Sequence, residues 1–144
     1  MAGPSHYSMP LPTFVAPVKL LAVASPYYKD IYDQQIAGAQ AICYQAGVTL
    51  EVVEVPGALE IPTAIGIAAR MANFDGYVAL GCIIRGETTH YDTVCNDSSR
   101  GLTLLGLQGM CIGNGILTVE SYEQAAVRAQ ADGQNKGGGA AAAA

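Results

Sequence analysis

Apolar and polar residues follow one another in blocks along the chain, and the blocks predict alternating strands and helices. The continuously apolar run 77–80 is typical of a strand buried on both faces of a parallel sheet, and 18–24, apolar except for Lys19, is also predicted to be a strand. Between them, the segment 31–46 places apolar residues at helical spacing and is followed by Gly47, a common helix stop. This order of strand and helix repeats along most of the chain.

The predicted elements fill the chain from residue 18 onward. The predicted strands are 18–24, 48–55, 77–80 and a fourth within 110–120, which is interrupted by Gly113-Asn114-Gly115. The predicted helices are 31–46, 61–72, 91–108, one that Ser121 caps, and one that begins in the final alanines after a loop at 133–139. Four repeats of strand and helix predict a four-stranded parallel sheet with helices on both faces, in a doubly wound, flavodoxin-like, three-layer α/β/α fold.

Length and proline content divide the chain into two parts. Its 144 residues are enough for one domain, which we place at 18–144, with a last helix that looks truncated at Ala144. Residues 1–17 are rich in proline and form a predicted flexible leader. The leader lacks the basic and apolar regions of a signal peptide, and no apolar run is long enough for a membrane span. We therefore expect a cytoplasmic protein.

Charge is scarce in this chain. Only 13% of the residues are charged, against about a quarter in an average protein, and 51% are hydrophobic. Such a chain has little polar surface, so we expect it to bury apolar area against copies of itself. The net charge is −5 with only seven Lys plus Arg, which is unlike the basic face of a nucleic-acid-binding protein.

The four cysteines are Cys43, Cys82, Cys95 and Cys111, and none forms a C-x-x-C pair. Reduced thiols in a cytosolic protein are the simplest interpretation. The spacing of cysteine and histidine fits no common zinc-ligand pattern, so we expect no metal site.

Unusual turns accompany all four predicted strands. Tyr27-Tyr28 follows the first strand, 56–60 follows the second, 86–90 follows the third, and 113–115 lies in or beside the fourth. The carboxyl ends of parallel strands share one edge of the sheet, where α/β folds bind their ligands. One such turn is explained by ordinary loop structure, but four together predict a ligand-binding site.

The stretch 81–92, with the sequence GCIIRGETTHYD, is the richest in chemistry. It joins a buried strand to the start of a helix, whose free N–H groups suit an anion such as phosphate. Its polar residues also have structural interpretations. Thr88 and Thr89 fit helix caps, and Arg85 fits an ion pair with Glu87 or Asp92.

Three further side chains allow two interpretations each. Glu60 fits the first turn of a helix, or it accepts hydrogen bonds from ligand hydroxyl or N–H groups. His90 either begins a helix and has no chemical role, or it transfers protons near neutral pH beside a bound phosphate. Arg128 fits a solvated helix face by its pattern alone.

Four runs of the sequence together resemble the lumazine synthase family. These runs are VPGALEIP at 55–62, GCIIRGETTHYDTVCN at 81–96, GILTVE at 115–120 and NKG at 135–137. The resemblance extends over most of 18–139. It implies a transferase of riboflavin biosynthesis that condenses 5-amino-6-(D-ribitylamino)uracil with 3,4-dihydroxy-2-butanone 4-phosphate. The products are 6,7-dimethyl-8-ribityllumazine, phosphate and water, and the family uses no cofactor or metal.

The resemblance also implies roles for individual residues. His90 is the implied acid/base. The implied pyrimidine and ribityl contacts are Tyr27, Ala58, Leu59, Glu60, Cys82, Ile83, Ile84, Asn114 and Lys136, and the implied phosphate contacts are Glu87, Thr88 and Arg128. Of these, the counterparts of Asn114, Arg128 and Lys136 reach in from a neighbouring subunit, so the implied site lies between subunits.

Two positions depart from the pattern of many relatives. Asn114 stands where many have an aromatic residue against the pyrimidine, and Pro26-Tyr27 stands where many have Arg-Phe or Arg-Trp. Two other functions are open at this point. One is a non-catalytic flavin or lumazine binder on the same scaffold, and the other is a structural protein whose main task is to form a shell.

The resemblance implies a pentamer as the basic assembly. The segment 131–137 has no insertion of the kind that keeps some members pentameric, which favours closure into an icosahedral shell. The proline-rich leader argues against closure, because proline donates no ladder hydrogen bond. Riboflavin synthase is a candidate partner.

Overall fold

The computed structural model describes residues 7–144, and its sheet has the predicted parallel topology. The strands are β1 (Lys19–Ala24), β2 (Thr49–Glu54), β3 (Gly76–Ile84) and β4 (Ile112–Val119). They lie in the order β2-β1-β3-β4, and all three neighbouring pairs are parallel. The doubly wound fold is therefore confirmed.

Five helices cover the two faces of the sheet in the described part of the chain. They are α1 (Lys29–Gln45), α2 (Glu60–Met71), α3 (His90–Leu107), α4 (Tyr122–Ala129) and α5 (Lys136–Ala143). Helices α2 and α3 pack together on one face, and α1, α4 and α5 contact one another on the other. The predicted cap is confirmed, since the Ser121 side chain accepts a hydrogen bond from the Gln124 N–H.

Strand β3 is the centre of the apolar core because its two faces belong to different clusters. Tyr77 and Ala79 pack with α2 and α3, whereas Val78 and Leu80 pack with α1 and α5. Continuous burial on both faces explains why this strand is apolar without alternation. At the edge of the sheet, β2 is exposed along most of its length.

The structure corrects two predicted strand boundaries. Strand β3 continues to Ile84, so residues 81–84 are strand rather than turn. Strand β4 runs without interruption through Gly113-Asn114-Gly115, and Asn114 lies opposite Ala79 in mid-strand. The glycines serve close packing there. A side chain at Gly113 would collide with the carbonyl of Ala140, and one at Gly115 would lie 2.9 Å from the Ala140 side chain. The predicted fourth turn at the carboxyl edge is therefore wrong.

The last helix also starts earlier than predicted. Helix α5 begins at Lys136, so the segment 136–139 is helical rather than part of a loop. Asn135 precedes it with a left-handed backbone (φ 49°), and its side chain accepts a hydrogen bond from the Gly138 N–H. This cap sets the start of α5 and therefore the position of Lys136, its first residue.

Residues 7–18 contain neither helix nor strand. They line an apolar cavity of about 580 Å³ together with parts of α1 and α5. Residues 1–6, which belong to the predicted leader, lie outside the described residues, and the division into leader and domain stays a prediction. Within residues 7–144, no helix combines the length and apolar character needed to cross a membrane.

Candidate active site

A cavity of about 530 Å³ lies at the carboxyl edge of the sheet, where three turns meet. These turns follow β1, β2 and β3, as the sequence predicted. Nine predicted site residues line the cavity, namely Tyr27, Ala58, Leu59, Glu60, Cys82, Ile83, Ile84, Thr88 and His90. The fold thus brings together residues that lie more than sixty positions apart in the chain.

The turn after β1 supplies two tyrosines. Tyr27 is exposed and meets Tyr28 edge to face, with 5.0 Å between ring centroids. Burial of Tyr28 raises the pKa of its hydroxyl. Because Tyr27 is exposed and lines the cavity, its ring is accessible to a flat ligand.

The turn after β2 is fastened to the end of β1. The buried Ser25 hydroxyl donates a hydrogen bond to the Pro56 carbonyl at 3.1 Å, and the Ser25 N–H donates to the Leu80 carbonyl at 2.9 Å. This places Ala58 at the cavity wall and Glu60 at the first residue of α2. Glu60 is exposed there, and its oxygens are available to a ligand.

The end of β3 forms the wall between these turns. Ile83 is buried, while Cys82 and Ile84 are half-buried and also pack near α4. Burial raises the pKa of the Cys82 thiol to about 11. The thiol is therefore protonated near neutral pH and contributes surface rather than a nucleophile.

The loop 86–89 closes the cavity at the start of α3. Thr89 is the residue before the helix, but its side chain makes no capping hydrogen bond. The Thr88 hydroxyl instead accepts a hydrogen bond from the His90 N–H at 3.3 Å. No atom would lie within 4 Å of a side chain placed on Gly86, so the loop backbone is approachable from the cavity.

Arg85 forms ion pairs across this loop. Its guanidinium lies 3.6 Å from Asp92, which confirms one of the two predicted pairs, and 2.7 Å from Glu120. Glu87, the other predicted partner, makes no ion pair within the described residues.

Four predicted site residues do not line the cavity. Glu87 lies in the loop but outside the cavity lining, and Asn114, Arg128 and Lys136 lie on β4, α4 and α5. The Asn114 amide oxygen accepts a hydrogen bond from the Ile116 N–H, and one Arg128 nitrogen donates to the Gln124 carbonyl. One chain therefore builds only part of the site that the resemblance implies.

Sequence reasoning missed several lining residues. Ser25, Tyr28, Tyr91 and Val94 also face the cavity. The signal for Ser25 and Tyr28 was their position directly after β1. Val94 lies four residues after His90 on the same helix face, so helical spacing was its signal. Within residues 7–144, no group of three or more His, Cys, Asp or Glu side chains is arranged to hold a metal ion.

Comparison with known proteins agrees with this geometry. Residues 17–144 match the sequence profile of the 6,7-dimethyl-8-ribityllumazine synthase family. A protein of that name from Jannaschia sp. (strain CCS1) is 58% identical over 144 residues, which cover 100% of this chain and 81% of the relative. Others from Novosphingobium aromaticivorans and Zymomonas mobilis subsp. mobilis are each 50% identical over 126 residues, covering 88% of this chain and 91% of the relative. The chain therefore belongs to the 6,7-dimethyl-8-ribityllumazine synthase family, the transferases that catalyse the penultimate step of riboflavin biosynthesis.

Proposed function

We propose that the cavity at the carboxyl edge is where this chain condenses 5-amino-6-(D-ribitylamino)uracil with 3,4-dihydroxy-2-butanone 4-phosphate. The observation that carries the proposal is the convergence of nine predicted site residues on one cavity. The cavity does not strongly activate either substrate, so the main task of the protein is to hold the two together in the reactive geometry.

The pyrimidine fits the wall formed by Cys82, Ile83 and Ile84, with Tyr27 stacked on one face of its ring. The ribityl chain then extends toward the turn after β2. Glu60 is at its far end, where the exposed carboxylate accepts hydrogen bonds from ribityl hydroxyls. Asn114, which cannot stack as an aromatic residue does, gives the second ring face a polar contact from a neighbouring subunit.

The phosphate of the second substrate fits the loop 86–89. The backbone at Gly86 is accessible, and the N–H groups of Glu87 and Thr88 lie just before the N-terminus of α3. This terminus is the positive end of the helix dipole and suits an anion. Arg128 supplies the counter-charge from the neighbour. Within the described residues it has no carboxylate partner, so its guanidinium is free to bind a dianion.

His90 moves protons in the condensation. The pyrimidine amine attacks the ketone to give an imine with loss of one water, phosphate leaves, and the ring closes with loss of a second water. His90 begins α3 beside the phosphate loop and is exposed to the cavity, where it can transfer protons during these steps. No cofactor takes part in this proposal.

Family membership implies a homo-oligomer that acts on small molecules. We propose a pentamer in which Asn114, Arg128 and Lys136 of one subunit complete the cavity of the next. Their positions on β4, α4 and α5, outside the cavity of their own chain, support this arrangement. Closure into a shell, association with riboflavin synthase and a cytoplasmic location are further parts of the proposal, the last supported by four free cysteines.

The test is to mix both substrates with the purified protein and to follow lumazine absorbance and phosphate release together. We expect one phosphate for each lumazine formed. Tight lumazine binding without turnover would instead identify a non-catalytic binder and would overturn the proposal.

A further inference from the structure

Arg85 has an unusual set of contacts for a half-exposed side chain beside a proposed binding loop. Its N–H donates to the Val119 carbonyl at 3.0 Å, which extends the pairing of β3 and β4 by one residue. Its Nε donates to Glu120 at 2.7 Å, just beyond the end of β4. Its guanidinium also lies 3.6 Å from Asp92 and 4.2 Å from the centre of the Tyr91 ring, both in the first turn of α3.

These contacts connect the two ends of the loop 86–89. One set holds Arg85 to the end of β4, and the other holds it to the start of α3. Among residues 7–144, the loop's side chains make only one hydrogen bond, in which the Thr88 hydroxyl accepts from the His90 N–H, so the loop has little side-chain support of its own. The Arg85 side chain is thus in contact with both the end of β4 and the start of α3.

The same contacts argue against Arg85 as a phosphate ligand. The hydrogen bond to Glu120 raises the pKa of Arg85 above its ordinary value, so the guanidinium is charged and already engaged. To bind a phosphate it would have to leave two carboxylates and a tyrosine ring. Arg128, which has no carboxylate partner in the described part of the chain, faces no such competition.

We propose that Arg85, held by Glu120, Asp92 and Tyr91, is a positioning residue that keeps the 86–89 loop and His90 in the geometry that binds the phosphate substrate. The proposal rests on the proposed function of the loop. Ion pairs this exposed contribute little to overall stability, with side chains 41%, 58% and 54% accessible at Arg85, Glu120 and Asp92. The contribution of Arg85 should therefore appear in phosphate binding rather than in the melting temperature.

The chain offers a matched control for Arg85→Ala. Lys19, at the amino end of β1, also combines an ion pair, 3.1 Å from Glu51, with an aromatic ring, 4.7 Å from the centre of Phe74. Its exposure of 43% is close to that of Arg85. Lys19→Ala thus removes similar chemistry far from the loop.

We expect Arg85→Ala to raise KM for the phosphate substrate and the inhibition constant of inorganic phosphate by about tenfold, while the pyrimidine Kd changes less than about twofold. Lys19→Ala should leave all three near wild type, and both variants should change Tm only slightly. Arg85→Lys should fall between wild type and Arg85→Ala, because an ammonium cannot hold both carboxylates as the guanidinium does.

Glu120→Gln separates positioning from direct binding. It keeps the shape of the side chain but weakens its hold on Arg85. If Arg85 positions the loop, Glu120→Gln raises KM for the phosphate substrate, although it removes a nearby negative charge. If Arg85 binds phosphate directly, the same variant lowers that KM, and the proposal is overturned.

Two other results have clear meanings. An active wild-type enzyme whose phosphate KM is unchanged by Arg85→Ala would overturn the positioning role alone. A wild-type protein that binds phosphate but forms no lumazine would contradict the proposed function. The Kd of inorganic phosphate, compared between wild type and Arg85→Ala, would still test the positioning role.

Discussion

The predicted site residues lie in two regions, of which one lines the cavity and the other does not. The first region is the carboxyl edge, where the turns after β1, β2 and β3 bring Tyr27, Glu60 and His90 to one cavity. The second region is formed by β4, α4 and α5, whose residues Asn114 and Lys136 lie outside that cavity. The first region is assembled within one chain, whereas the second contributes to a site only in the proposed assembly with a neighbouring subunit.

The difference shows how the topology distributes a site. Residues at the ends of neighbouring parallel strands meet automatically, because the sheet places those ends together. Residues in mid-strand or on outer helices are not brought together in this way. Asn114, for example, is paired opposite Ala79 in mid-strand and is exposed at the side of the sheet.

The largest expected effect of a single change comes from the second region. Arg128→Ala removes the proposed counter-charge of the phosphate, which carries about two negative charges. We expect KM for the phosphate substrate to rise about 10- to 100-fold, the range for a lost charged hydrogen bond, with little change in pyrimidine binding. Steady-state kinetics with each substrate varied in turn measures this. Arg70→Ala, at the end of α2, is the control and should change neither constant.

An equal loss of affinity for both substrates would show that Arg128 supports the site in general. The second region would then not be the source of the counter-charge for the phosphate.

The next effect comes from the first region. His90→Ala should slow turnover by roughly tenfold or more, while folding and assembly stay intact, because His90 lies exposed at a loop-to-helix junction. The measurement is the single-turnover rate across neutral pH, with circular dichroism as the control for folding. A wild-type rate throughout that range would reduce His90 to a helix-start residue.

A smaller effect is expected from the aromatic support of the pyrimidine. Tyr27→Ala should weaken pyrimidine binding by about 3- to 10-fold, the value of one aromatic contact, and Tyr27→Phe should restore it. Titration calorimetry with the pyrimidine alone measures both. If Tyr27→Phe binds as weakly as Tyr27→Ala, the hydroxyl rather than the ring makes the contact.

The smallest effect concerns Cys82. Since its pKa is raised to about 11, the neutral thiol is the form present until the pH approaches that value. Cys82→Ala should therefore leave the rate within about twofold and should not alter the pH profile below about pH 10. A change in the profile near neutral pH would show that the thiol ionises in the working site.

Much of the first region was predictable because its signals are local. Apolar runs located the strands, and the turns that follow them located the cavity. The second region was harder, since Gly113 and Gly115 looked like a turn although they admit the backbone of α5 beside β4. A glycine needed for close packing and a glycine needed for a turn look the same in one sequence.

Contacts between residues that are distant in the chain could also not be predicted from the sequence. The pair of Arg85 and Glu120 joins residues 35 positions apart, and the register that places Ile84 opposite Val119 brings these next residues together. The bond from Ser25 to Pro56 depends in the same way on the pairing of β1 with β2. Periodicity predicts elements, but their register decides which side chains meet.

Subunit mixing tests most directly whether the two regions complete each other between chains. His90→Ala and Arg128→Ala proteins are each dissociated, mixed in equal amounts and reassembled. If each site takes His90 from one subunit and Arg128 from the next, random assembly restores about a quarter of the wild-type activity. Activity no higher than the mean of the two separate variants would contradict the account, because it would place both residues in the site of a single chain.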